Sequence, residues 1–542
     1  MQAQEPILIK DGMIIKSLTR CDGTLYFSGK NIDQSSQLYR TNESNDETFI
    51  VKEIKANESR REVGDPTDLI AVNNLLFFNQ YDGNGDYKKL WVTDGTESGT
   101  KIVKNSTLTF GLANGIAFKN QLFFVDYLCG LWHSDGTEEG TKLLKHFDLF
   151  GVSFKGPNFM IMDNSLFFFA TDSAHGTELW KTDGTADGTV LVKDINIGSA
   201  SSSDYGNSST VNNGYLYFSA NDGIHGSEPW RTDGSDEGTV MLKDINPGSQ
   251  SSTPKDFIVN KGVVYFSAAD TSYLANYYNS PYSVNNTELY RTDGTENGTY
   301  MVKDINKSKL FGSRVDNLMT CNNQLLFLAS NSDVVSPFPS FFPVDLYTSD
   351  GSSKGTHLFR EVCNDICFPG TFVKSKYEIY FFANDSSKRW LCKTNGYANG
   401  TMKMIDLSGE QFYQSPSGMI VVGSNLYFTT YTGNNFISKL WKLKISEEAP
   451  ANLDSLSSVF PNFLKIFPNP FSNEIELKFT KTPNSSVKIN LYDGIGKRIF
   501  QGEFSPDQYL IMNELDKFPL GIYLLEVSYD DQKIIKKLIK SK

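Results

Sequence analysis

A fixed repeat constrains this chain more than any other feature. ELWKTDGTADGTVLVKDI (Glu178 to Ile195) returns as EPWRTDGSDEGTVMLKDI (Glu228 to Ile245) and as ELYRTDGTENGTYMVKDI (Glu288 to Ile305). Looser versions begin at Leu38, Leu90, Leu131, Leu346 and Leu391. A period of this kind decides the architecture before single residues are considered. It also makes most recurring residues structural, because chemistry needs a residue once and not eight times.

Upstream of each core lies a short apolar run: LYFSG at Leu25, LLFFNQ at Leu75, QLFFVD at Gln121, SLFFFA at Ser165 and YLYFSA at Tyr215. The series continues with VVYFSA at Val263, QLLFLA at Gln324, EIYFFA at Glu378 and NLYFTT at Asn425. A further apolar stretch precedes each run, as in 68–74, 256–262 and 418–424. One unit therefore holds four strands, rich in Val, Ile, Tyr, Phe and Thr and bounded by Gly, Asn and Asp. Consecutive apolar residues such as Leu166-Phe167-Phe168-Phe169 predict a second strand buried on both faces.

Pairs such as Asn213-Gly214 and Lys261-Gly262 supply the positive φ of a two-residue hairpin between the first and second strands. In Thr-Asp-Gly-Thr-x-x-Gly-Thr, between the third and fourth, Asp183 is expected to bond the backbone ahead of it. Gly184 and Gly188 are expected to be left-handed. Asp94, Asp135, Asp233, Asp293 and Asp350 repeat the Asp. One carboxylate per turn is far from the six to eight oxygens that calcium takes, so the Asp reads as a turn residue.

Antiparallel four-stranded units of this length predict an all-β chain, a multi-bladed β-propeller. Nine repeats are counted, with eight possible if the degenerate first or eighth unit is merged. The ninth unit stops after its third strand at Leu443, and Ile7-Leu8-Ile9-Lys10 resembles the missing fourth. A ring closed this way leaves no lone edge. Trp91, Trp132, Trp180, Trp230 and Trp441 share one repeat position, filled elsewhere by Tyr39, Tyr290, Tyr347 and Cys392, which reads as packing between blades.

These motifs resemble the ELWxTDGTxxGTxLVKDI repeats of large surface and secreted proteins of Bacteroidota and some other bacteria. The resemblance covers residues 1–445 and implies a propeller-like surface protein of no settled activity. Thr41-Asn42-Glu43 and Thr394-Asn395-Gly396 depart from it at the Asp-Gly turn.

Residues 446–461 (SEEAPANLDSLSSVFP) read as a linker. Beyond them, residues 462–542 carry 12 Lys and Arg against 10 Asp and Glu, net +2. The whole chain is −12, so the remainder carries −14. The strands VKINLYD, IYLLEVS and KIIKKLI, joined by glycine turns, predict a small antiparallel β-sandwich. The region is similar to the type A C-terminal sorting domain of the type IX secretion system, an Ig-like sandwich. The matching residues are Pro468-Asn469-Pro470, the turn of Tyr492 to Lys497 with Gly496 and Lys497, Gly521-Ile522-Tyr523, and the basic tail. The resemblance implies export through the periplasm to the cell surface or the medium. It further implies recognition by the type IX translocon and its processing peptidase, and then release or attachment to lipopolysaccharide.

The acidic balance argues against a nucleic-acid partner. No apolar run approaches the roughly 20 residues that span a bilayer as a helix, so no transmembrane segment is expected. The start, Met1-Gln2-Ala3-Gln4-Glu5, lacks a signal segment and suits a processed end, so a signal peptide is expected to have preceded it.

Catalytic signals are poor, and no cofactor is expected, with calcium as the alternative. His175 and His225 share a repeat position and read as a loop pattern rather than as metal ligands. Asp82, Asn84 and Asp86 alternate like the start of a calcium loop but lack the sixth-position Gly and the distal Glu. Cys363 and Cys367 are spaced for a local disulfide, which stays open.

The better lead is where the repeat breaks. The sixth unit inserts 270–287 with Tyr273, Tyr277, Tyr278 and Tyr282, and the seventh inserts 331–344 with Phe338, Phe341 and Phe342. Both inserts join second to third strands, so both are expected on one face. Exposed aromatics there favour an unknown glycan or protein ligand, while shielding of a blade edge is the plainer reading. Two function classes stay open. The first is a non-enzymatic binding or adhesion module. The second is an extracellular polysaccharide- or protein-degrading enzyme working at the channel mouth. A converging pair of non-repeating carboxylates in the channel would favour the enzyme.

Overall fold

A computed structural model describes residues 5–31, 35–41, 46–54, 64–81, 88–103, 112–126, 129–148, 159–203, 208–270, 287–307, 313–331, 345–359, 372–385, 388–397, 400–408, 418–432, 437–445, 464–467, 474–479, 485–493, 497–505, 507, 509–513, 515, 517–529 and 532–540. The chain divides into two compact units, Met1–Glu448 and Ala449–Lys542.

The first unit is built from antiparallel sheets. Among the described residues, seven of them have four strands each in sequence order, within 67–102, 112–146, 160–193, 210–241, 255–303, 316–358 and 373–406. An eighth sheet has seven strands, in the order Met419–Val422, Asn425–Thr432, Ile437–Lys444, Ile7–Cys21, Thr24–Asn31, Gln37–Thr41 and Thr48–Ile50. It holds both chain ends of the repeat array. Ile7 pairs with Lys442 and Leu8 with Trp441, while Ile14 pairs with Lys30 and Cys21 with Thr24. Met13, at the crossover, faces both Ser438 and Asn31. The strand turns from one neighbour to the other beside Gly12, whose φ of +80° suits glycine.

Counted by second strands, Thr24–Asn31 opens the first repeat unit and Asn425–Thr432 the ninth. Each second strand lies between its hairpin partners and is packed on both faces, as the consecutive apolar residues predict. Leu166, Phe167 and Phe168 are each almost wholly buried. A phenylalanine so placed stabilises by about 2–3 kcal/mol. The large residue of the third strand faces the preceding sheet. Trp230 packs in one cluster with Met160, Phe167 and Leu179, and Trp132 packs with Phe77, Leu90 and Val103. Packing between sheets is therefore the use made of the recurring tryptophan.

The hairpins behave as their sequences require. Asn213 and Gly214 have φ of 51° and 76°, and Lys261 and Gly262 have 53° and 76°. In the Thr-Asp-Gly-Thr turn, Asp183 accepts the Thr185 N–H at 2.9 Å, and Thr182 and Thr189 hydroxyls meet at 2.8 Å across its base. The carbonyls of the turn receive lysines of the preceding unit: Lys119 reaches Asp183 at 2.7 Å, and Lys181 reaches Gly234 at 2.8 Å. One expectation is corrected. Gly184 is left-handed at φ +98°, but Gly188 is not. Glycine is needed at 188 because a Cβ there would lie 2.0 Å from Asp183 Oδ1. In the eighth unit Asn395 replaces Asp and accepts the Tyr397 N–H at 2.9 Å, so the turn survives.

The second unit has two antiparallel sheets. One orders Leu464–Phe467, Ile475–Phe479 and Tyr509–Met512, and the other orders Arg498–Phe504, Val487–Tyr492, Gly521–Tyr529 and Gln532–Lys540. Alternate residues of both sheets meet in one cluster, with Ile475, Leu477 and Phe479 against Val487, Ile489, Leu525 and Val527. Among the described residues, no helix is long and apolar enough to cross a membrane.

Candidate functional site

Tyr273, Tyr277, Tyr278, Tyr282, Phe338, Phe341 and Phe342 lie outside the described residues, but the strands that bracket them do not. Ala268 pairs with Glu288, and Ala329 pairs with Asp345. Both inserts thus leave and return at the same end of their second and third strands. Lys255 pairs with Ser267 and Asp316 with Leu328, so the first strands of these two sheets begin at that end too. The sheets adjoin there, because the Asn317 N–H donates to the Asp256 carboxylate at 3.1 Å.

These first strands open on a bulge. Register slips between Lys255 and Ile258 and between Asp316 and Met319, as it does between Lys16 and Thr19 and between Thr67 and Ile70. The bulged residues Ser17, Asp68, Asp256 and Asn317 have φ of 54°, 55°, 58° and 54°. Asp and Asn tolerate this left-handed region better than most residues, and a bulge re-aims the side chain that it carries.

The bulges set the Asp316–Asn317 step against Asp256, whose carboxyl feels the Asp316 carboxyl. Burial is the main cause that pushes Asp256 up to about 6. The hydrogen bond and charge of Asp316 add to it, and Lys255 and the Asn317 N–H oppose it. Lys255 Nζ lies 3.8 Å from Asp316, and a half-buried carboxyl raised beside a second carboxyl suits acid–base work or the binding of polyol hydroxyls. In the second repeat unit the equivalent Asp68 accepts from the Asn79 amide at 3.0 Å instead. Neither Asp256 nor Asp316 stands in the repeat core, so the motif search passed over them. The available signal was an acid at or next to the bulge before consecutive hairpins, Asp256 in one sheet and Asp316, one place earlier and before Asn317, in the next.

The other sequence candidates are quickly placed. His175 Nδ1 lies 2.9 Å from the Asp172 carboxylate, and His225 Nδ1 lies 2.7 Å from that of Asp222, a repeated loop pairing. Asp82, Asn84, Asp86, Cys363 and Cys367 lie outside the described residues. Among the described residues, no group of three or more His, Cys, Asp or Glu could hold a metal ion. Cys21, Cys129 and Cys321 are in no disulfide.

In the second unit, Asp493 and Lys497 close a tight turn. The Asp493 N–H donates to the Lys497 carbonyl at 2.9 Å, and the Lys497 N–H donates to the Asp493 carboxylate at 2.9 Å. Gly521 opens the central strand, and the buried Tyr523 donates its hydroxyl to the Pro519 carbonyl at 2.5 Å. Pro468, Asn469, Pro470 and Gly496 lie outside the described residues.

Residues 465–541 match the family described as a secretion system C-terminal sorting domain. The match supports export by the type IX secretion system to the surface or the medium, and an interaction with that machinery, in a protein of Bacteroidota type. An endo-acting ulvan lyase of Formosa agariphila is 28% identical over 159 residues, covering 29% of this chain and 28% of the lyase. The chain thus matches little more than a quarter of that relative's length. Among solved structures, BamB of Moraxella catarrhalis is similar with TM-score 0.35 and 9% identity over 81% of this chain and 99% of that one. PorZ, a surface component of the type-IX secretion system of Porphyromonas gingivalis, has TM-score 0.20 and 10% identity over 98% of this chain and 87% of that one. At these scores neither likeness assigns an activity or a partner.

Proposed function

We propose that residues 1–445 form a closed β-propeller of nine blades, exported by means of a C-terminal sandwich, and that this propeller binds an extracellular glycan or protein without covalent chemistry. Closure is supported by the strand Ile7–Cys21, which pairs with both the ninth unit and the first. Binding rests on one observation: the two longest breaks in the repeat start and finish on one rim of adjoining sheets. Two aromatic-rich inserts emerging together suit a polymer, whose repeating faces reward several shallow contacts at once.

The test is Tyr277→Ala combined with Phe341→Ala in the full chain, measured on a glycan array and on intact cells. The expected result is a loss of binding of at least about tenfold, as for removal of anchor aromatics. Unchanged binding at unchanged thermal stability would overturn the reading.

The Asp256–Asp316 pair favours a second reading, a depolymerising enzyme. A partial likeness to an endo-acting ulvan lyase makes ulvan the first polymer to assay. Product release that Asp256→Asn abolishes would establish this reading; no release from ulvan or from array-positive polymers would remove it.

A further inference from the structure

The four-stranded sheet of the second unit has an inner and an outer face. On its two central strands Val487, Ile489 and Leu491, with Tyr523, Leu525 and Val527, point into the core. Strand alternation therefore turns Lys488, Asn490 and Tyr492, with Leu524, Glu526 and Ser528, outward. Register sets these outward residues in rows: Lys488 beside Ser528, Asn490 beside Glu526, and Tyr492 beside Leu524. The first two rows are polar and find partners on the sheet itself. Asn490 Nδ2 donates to Glu526 Oε1 at 3.0 Å, and Lys488 Nζ lies 4.0 Å from the Glu503 carboxylate. The last row is different. Leu524 is 41% exposed, and Tyr492 beside it is half-buried.

A second leucine stands at the same end of the sheet. Leu520 immediately precedes the strand Gly521–Tyr529 and is 68% exposed. Its backbone is fixed on both sides. The buried Tyr523 donates its hydroxyl to the Pro519 carbonyl at 2.5 Å. Phe518, whose N–H donates to the Leu515 carbonyl at 3.2 Å, packs against the core. The fold thus anchors the neighbours of Leu520 and holds its side chain in water. Single exposed apolar residues are ordinary, but two leucines and a tyrosine at one end of an otherwise polar face are not accounted for by the core. Cations border them. Lys497, Arg498 and Lys517 are exposed, and Arg498 pairs with Tyr492. The Asp493–Lys497 turn closes this same end.

We propose that Tyr492, Leu520 and Leu524 form the surface by which the type IX secretion machinery grips the second unit, through an apolar pocket edged with carboxylates. The inference rests on the sorting reading of residues 465–541, whose family match supports an interaction of this unit with that machinery. The patch is apolar area that the two-sheet core does not use, so it is free to serve recognition. Its cationic border sets the partner's chemistry, since complementary charge favours an acidic rim and opposes a basic one. Leucine and tyrosine anchors in a pocket supply the affinity. The motif residues then act by positioning: the Asp493–Lys497 turn fixes the end of the strand that carries Tyr492, and Tyr523 fixes the bend that presents Leu520.

The experiment follows export of the full chain in a host with a working type IX system. Leu520→Ser with Leu524→Ser should lower the amount at the surface and in the medium at least about tenfold, with accumulation in the periplasm. The unfolding temperature of the purified variant should stay unchanged. Ile511→Ser, at a position 44% exposed on the other sheet, should be exported normally. If the double variant unfolds early, Leu520→Ser alone decides, because a side chain so exposed adds little to stability. Deletion of residues 533–542 separates the two ideas. Normal export of the leucine variants beside a stranded deletion would overturn this surface and leave the sorting reading in place, whereas normal export of the deletion would remove both. An equal loss with Ile511→Ser would also overturn it. So would leucine variants that are exported normally but change self-association in light scattering, since the patch would then seat a second copy of the chain.

Discussion

The backbone N–H of Ile15 donates to Ser438 Oγ at 3.2 Å, across 423 residues of sequence. Both residues are buried, so the ends of the repeat array meet in a packed interior and not at a surface seam. Ser438→Ala leaves a buried donor unpaired and should cost about 1–3 kcal/mol. Removing residues 5–12 should cost more, because it exposes the edge of the strand Ile437–Lys444. Thermal unfolding and light scattering check both. A truncated chain that melts like the wild type and stays monomeric would contradict closure by this strand.

Gly188→Ala tests the reason for a glycine that is not left-handed. The added Cβ must displace the Asp183 carboxylate from its turn. A loss of about 1–3 kcal/mol is expected, by the strain mechanism. In an Asp183→Ala background the same change should cost much less, since nothing remains to collide with. Additive costs in urea unfolding would show that the collision is not the cause.

Asp316→Asn should lower Asp256 toward the ordinary carboxylate range. Asp256 is raised, so its contribution is present in acid and lost as pH climbs through about 6. Relief of the repulsion should stabilise the variant by about 1 kcal/mol at pH 8 and leave pH 4 nearly unchanged. Urea midpoints at the two pH values provide the measurement. Equal shifts at both would mean that Asp316 does not raise Asp256.

Deleting residues 533–542 removes most of the strand Gln532–Lys540, including the buried Leu538, from the second unit. The truncated protein should accumulate in the periplasm and be missing from the surface and the medium. Fractionation and immunoblotting read this directly. Normal surface amounts would end the sorting assignment.

How much of this was legible beforehand differs between fold and site. Strand positions, hairpin turns and the inward tryptophans follow from local rules repeated along the chain. Apolar periodicity and the φ demands of Asn-Gly and Asp-Gly act over a few residues, so one copy corroborates the next. Gly188 was misread because its constraint is a contact with Asp183 and not its own φ. Asp256 and Asp316 were passed over because 60 residues and a sheet boundary separate them.

By itself, then, the sequence determined the repeat, its four strands, the turn chemistry and a tail of sorting-domain type, since each is written in short stretches with local causes. The tertiary structure alone decided which distant groups share an environment. It set Met13 between Ser438 and Asn31, brought Asp256 against the Asp316–Asn317 step of the next sheet, and buried Glu178, Glu228 and Glu288 where a crossing loop leaves its sheet. Burial and proximity set their protonation, and both are properties of the packed chain that no short stretch of residues encodes.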